Sequence, residues 1–135
     1  MGKKTRVVGD DAYEDLASGY QIALASMLDD VLRESGIADK KKRRTICERF
    51  LHAHGTLHDQ CWLRVGETKV YPFLAFSEAF QGGSRGPDQL GAVVASKDKS
   101  FSFDEYAAGS AQCHYEPEAG TPRVETGLVE GEEAE

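Results

Sequence analysis

From Asp10 onward, apolar residues recur at spacings of three and four: Tyr13, Leu16, Ala17, Tyr20, Leu24, Met27, Leu28 and Val31. This is the stripe of an amphipathic helix. It predicts a helix over residues 11–35 that turns these side chains toward a core. Asp10 or Asp11 caps its start, Glu14 and Asp15 sit at the positive end of its dipole, and Gly36 supplies the left-handed residue that stops it. A second helix is expected from an Asp39 N-cap to Gly55, with Ile46, Phe50 and Leu51 facing inward.

Beyond Gly55 the period falls from about 3.6 to 2. Cys61-Trp62-Leu63-Arg64-Val65 and Thr68-Lys69-Val70-Tyr71 flank Gly66-Glu67, the signature of a hairpin with a tight turn. Pro72 suits an edge or bend before Phe73-Leu74-Ala75-Phe76, and residues 81–88 are rich enough in glycine to read as a mobile loop. Leu90–Ser96 reads as a further strand. Ser102-Phe103-Asp104-Glu105 has capping-box spacing and opens a short helix through Ala111. The expected fold is α+β, with two N-terminal helices packed on a small, mostly antiparallel sheet. Residues 1–9 read as a flexible arm, 10–115 as a single domain and 116–135 as a disordered acidic tail.

Charge changes this picture in one respect. Of the net −7, the last 20 residues carry −6, from seven glutamates against Arg123, which leaves the body at −1. A near-neutral body argues against a dedicated nucleic-acid binder and leaves small molecules, protein partners and self-association. Three unevenly spaced cysteines make no disulfide framework, and no apolar run is long enough to signal secretion or span a bilayer. A cytoplasmic protein with no membrane partner is the expectation.

Candidate chemistry concentrates between Cys47 and Cys61, where Cys47, His52, His54, His58 and Cys61 make up five of the seven cysteines and histidines. On a helix, Cys47, Leu51, His54, His58 and Cys61 fall within a sector of roughly 80°, while His52 points away. His54 and His58 have the four-residue spacing that suits two zinc ligands. Cys61 lies about 10.5 Å along the axis from His54, so a complete site must recruit Cys113 and His114, with Asp59 as a further ligand or imidazole acceptor. The His-Glu-x-x-His motif and paired cysteines two residues apart are both absent, as are the P-loop and dinucleotide fingerprints.

Cys61 beside His58 is the nearest thiol–base pair for nucleophilic catalysis. Lys40, Lys41, Lys42, Arg43 and Arg44 place five cations where a helix dipole prefers anions, which suits either neutralisation by Asp29, Asp30 and Glu34 or contact with an anionic partner. Trp62 with Arg64, and Tyr71 with Lys69, offer a stacking platform; the plainer reading is a core tryptophan covered by an arginine stem. No catalytic constellation is complete. The favoured function is a binding or protein-interaction domain. A zinc-like metal-binding protein or metalloenzyme built on residues 47–61 is the alternative, and a nucleic-acid-contacting accessory domain using residues 40–44 comes third.

Overall fold

The structure is a computed structural model and describes residues 3–118, 121 and 124–129. Its elements are β1 (Arg6–Gly9), α1 (Tyr13–Glu34), α2 (Lys40–Gln60), β2 (Leu63–Val65), β3 (Thr68–Val70), β4 (Phe76–Ser77), β5 (Ala92–Ala95) and α3 (Phe103–Tyr115). The class is α+β. Two compact units alternate along the chain: residues 3–16, 74–100 and 126–129 form the first, and residues 17–73, 101–118, 121, 124 and 125 form the second.

The first unit is organised by a sheet of order β1-β5-β4. β1 pairs parallel with β5 from Arg6 opposite Ala92 to Gly9 opposite Ala95, and β4 pairs antiparallel with β5. Part of the expected N-terminal arm is therefore a strand. Its short polar-flanked sequence carries no periodicity, and its order comes from a ladder with residues more than 80 positions away. Thr5 completes the attachment: its hydroxyl donates to the Pro87 carbonyl at 2.6 Å and accepts from the Leu90 amide at 2.8 Å. Val93 and Ala95 of β5 are buried, and the buried Tyr13 donates its hydroxyl to the Leu74 carbonyl at 2.8 Å.

The second unit is built on helices. Asp39 caps α2 through the Lys41 and Lys42 amides, and Gly36, at φ 102°, ends α1 as its spacing predicts. The core joins Ala25 of α1, Leu51 of α2, and Ala107 and Ala111 of α3, with Leu24 packed against it. Small residues let the helices approach closely. Gly55, expected to end α2, lies inside it. A Cβ there would sit 2.8 Å from the Asp104 nitrogen, so the position admits only glycine without a shift of α3.

The buried face of α1 differs from the expected stripe. Ala17, Gln21, Ala25 and Asp29 are buried in steps of four, whereas Leu16, Met27 and Val31 are 40%, 53% and 54% exposed. The face is turned by about a quarter of a revolution. Gln21 tolerates complete burial because its amide is satisfied: Nε2 donates to the Phe103 carbonyl at 2.9 Å and Oε1 accepts from Ser110 Oγ at 2.8 Å. Close packing through alanines, together with paired polar groups, overrides the preference for burying the largest apolar residues.

Of the expected acidic tail, residues 119, 120, 122, 123 and 130–135 lie outside the described residues; its described part contains no helix or strand, and Glu116 pairs with Arg44. No helix among the described residues is long and apolar enough to cross a membrane.

Candidate functional site

The candidate side chains and their neighbours separate into three structural groups. Asp29 of α1, Arg43 and Cys47 of α2, and Tyr115 of α3 form a buried network. Arg43 Nε donates to Asp29 Oδ1 at 2.8 Å, and its Nη1 donates to the Ile37 and Ala38 carbonyls at 3.0 and 2.9 Å. The Tyr115 hydroxyl donates to Asp29 Oδ1 at 2.6 Å and lies 3.1 Å from Cys47 Sγ. Burial pushes the Asp29 carboxyl upward, but the hydrogen bonds from Tyr115 and Arg43 outweigh it and leave the group below the ordinary aspartate value. Burial pushes the Cys47 thiol up, with the Asp29 charge adding to it, so this cysteine is not poised as a thiolate. The network ties three helices together.

Arg43 therefore leaves the basic run as an accessible anion contact. It neutralises Asp29, as the sequence suggested, while Asp30 pairs with Arg33 instead. Arg44 is held by Glu116, and Lys40, Lys41 and Lys42 remain exposed.

The histidines divide differently. Because α2 continues through Gly55, His54 and His58 do share a face, with ring centroids 4.7 Å apart. Phe50 and Tyr20 lie against His54, and Phe103 lies against His58. Burial lowers both imidazoles below 6.5, and the neighbouring His58 lowers His54 further. His54 Nδ1 is buried without a hydrogen-bond partner among the described residues.

The other expected ligands are engaged or displaced. α2 ends at Gln60, and Cys61 follows in extended geometry rather than on the helical face. His114 lies 3.8 Å from Asp29, and Cys113 is its neighbour on α3. Asp59 caps α3, accepting from Ser102 Oγ and from the Phe103 and Asp104 amides at 2.8, 2.8 and 2.9 Å. It thus supplies the cap expected from Ser102, whose own side chain makes no such bond. Free amides at a helix N-terminus attract a carboxylate more strongly than they do a hydroxyl. Among the described residues no group of three or more His, Cys, Asp or Glu is placed to hold a metal. His52 pairs with Asp104 at 2.7 Å.

The third group is the hairpin, which forms in the predicted register with Gly66 at φ 62° in its turn. None of its strand residues is buried. Trp62 is 47% exposed, Val65 71%, Tyr71 65% and Phe73 69%. The core tryptophan expected from the sequence is thus at the surface. Strand alternation places Trp62, Arg64, Lys69 and Tyr71 on one face and Leu63, Val65, Thr68 and Val70 on the other. Arg64 and Lys69 are directly opposite across the ladder, an unfavourable pairing of like charges. The Trp62 ring lies under both, with the guanidinium carbon at 5.2 Å and the ammonium at 4.9 Å from its centroid. No backbone hydrogen bond among the described residues leads from the hairpin to another element.

Comparison with family models, curated proteins and solved structures finds no match to this chain.

Proposed function

We propose that the chain is a non-catalytic interaction module that uses the hairpin of β2 and β3 to receive an extended acidic-apolar segment of a protein partner. One observation carries this reading: a two-stranded ribbon with both faces exposed, one apolar and the other bearing two adjacent cations. An isolated hairpin is marginal in water, and burying Leu63, Val65 and Val70 against a partner removes apolar surface that folding leaves wet. Carboxylates on that segment would relieve the repulsion between Arg64 and Lys69. Either strand edge offers backbone groups for strand addition.

Trp62 is the chain's single tryptophan, so its fluorescence reports this site directly. Selection of a random displayed-peptide library against the full chain should enrich sequences alternating apolar and acidic residues. The enriched peptides should shift Trp62 emission and lose binding on combined Arg64→Glu and Lys69→Glu replacement. Enrichment of basic sequences, no enrichment, or binding indifferent to those replacements would refute the proposal. Sedimentation distinguishes self-association, and titration with single-stranded oligonucleotide tests the nucleic-acid alternative.

A further inference from the structure

The first unit contains a cavity of about 520 Å³ whose lining includes none of the hairpin residues. Its size falls within the roughly 300–1,000 Å³ range of small-molecule sites. Phe76 and Val94, opposite each other in the β4–β5 ladder, and Leu90 give it apolar walls. Lys3 and Arg85 bring cations to the same lining, and Glu78 brings one anion.

Both cations are placed by backbone pairing, Lys3 through a distant segment and Arg85 through a local turn. Lys3 is fixed where its carbonyl accepts from the Gly91 amide at 3.0 Å and where the Thr5 amide donates to the Asp88 carbonyl at 3.0 Å. Arg85 sits on a turn closed in both directions with Gly82, at 2.9 and 3.0 Å. Its Nη1 donates to the Phe80 carbonyl at 3.3 Å, which leaves the rest of the guanidinium fork for another acceptor. The ion pair found among the described residues of this unit joins Lys97 to Asp11 and leaves Lys3, Arg85 and Glu78 without an oppositely charged partner. Two unneutralised cations beside apolar walls complement an anionic head joined to a hydrocarbon body.

We propose that this cavity binds a small amphipathic anion, its carboxylate or phosphate meeting Lys3 and Arg85 and its apolar part lying on Phe76, Leu90 and Val94. The test is an amide-NMR titration of the full chain with octanoate, octyl phosphate, octanol and octylammonium. At least one anion should give saturable shifts centred on Phe76, Leu90 and Val94. Octanoate alone would assign a carboxylate ligand, and octyl phosphate alone a phosphate ligand. Combined Lys3→Gln and Arg85→Gln replacement should weaken the anion by about tenfold or more, the equivalent of one charged hydrogen bond, and leave octanol unchanged. Octanol or octylammonium binding as tightly as the anions would overturn the proposal. So would shifts centred elsewhere, or no saturation with either anion at about 5 mM, well above a millimolar Kd. Should the double variant lose its fold, the natural chain's discrimination between anion and alcohol decides alone.

Discussion

Replacing Gly55 by alanine sets helix propensity against packing, and the structure fixes which one wins. In a helix interior alanine is better than glycine by about 1 kcal/mol. The added Cβ, however, would lie 2.8 Å from the Asp104 nitrogen, 3.0 Å from its Cα and 3.1 Å from the Phe103 carbonyl carbon. These are backbone atoms of the first turn of α3, and Asp59 holds both amides there. They cannot swing aside as the end of a long side chain would. Overpacking costs about 1–3 kcal/mol, and disturbing a helix cap adds about 1 kcal/mol. Net of the propensity gain, Gly55→Ala should destabilise by about 1–3 kcal/mol. Gly109 of α3 is the control, since a Cβ there meets nothing within 4 Å. Gly109→Ala should stabilise by up to about 1 kcal/mol, so the same substitution has opposite signs at the two positions. Urea titration followed by far-ultraviolet circular dichroism measures both. A Gly55→Ala chain as stable as the natural one would refute the close approach of α2 to α3.

Asp59→Ala should cost about 1–2 kcal/mol in the same assay, because the amides of α3 lose their cap; an unchanged midpoint would mean that Ser102 or water replaces it. Arg43→Met should cost about 3 kcal/mol by removing the nearer cation from the buried Asp29, and a neutral result would show that Arg33, 3.9 Å away, or solvent replaces it. His54 and His58 are held below 6.5 in the folded chain by burial, so the unfolded chain takes up these protons first as pH falls. Stability present above about pH 6.5 should therefore decline below it, and combined His54→Gln and His58→Gln replacement should flatten that part of the profile; an unaltered slope would assign the decline to other groups. Trp62→Ala should change stability by no more than about 0.5 kcal/mol, whereas a loss of several times that would place the ring in a core.

The hairpin and the start of α2 were legible because each depends on local chemistry. Glycine at the turn and alternation around it specify one register, and Asp39 satisfies amides two and three positions away. The orientation of α1 was not legible, since it depends on distant partners for Gln21 and Asp29 and on small residues that periodicity counts lightly. Gly55 was similarly ambiguous: its spacing near the end of an apolar pattern suggests a stop, and only the approach of α3 explains its place inside the helix. Among the candidate ligands, His54 and His58 came together as their spacing required. Asp59 and His114 were claimed by a helix terminus and a buried carboxylate. The exposed hairpin faces ran against the sequence reading, which placed Trp62 in a core because alternation marks a strand without showing what covers it, and the cavity had no signal, because Lys3 and Arg85 come to one lining only through the β1–β5 pairing.

That pairing also has a consequence in time. Arg6 and Ala92 are 86 positions apart, and the second unit's residues 17–73 separate the two segments of the first that carry them. At about 5–20 residues per second, a ribosome exposes Arg6 on the order of ten seconds before its ladder partner exists. The helices α1 and α2 can associate during that interval, but their core lacks Ala107 and Ala111 until α3 emerges after β5. Neither unit is therefore complete before most of the chain has been made, and no single cleavage yields one of them whole.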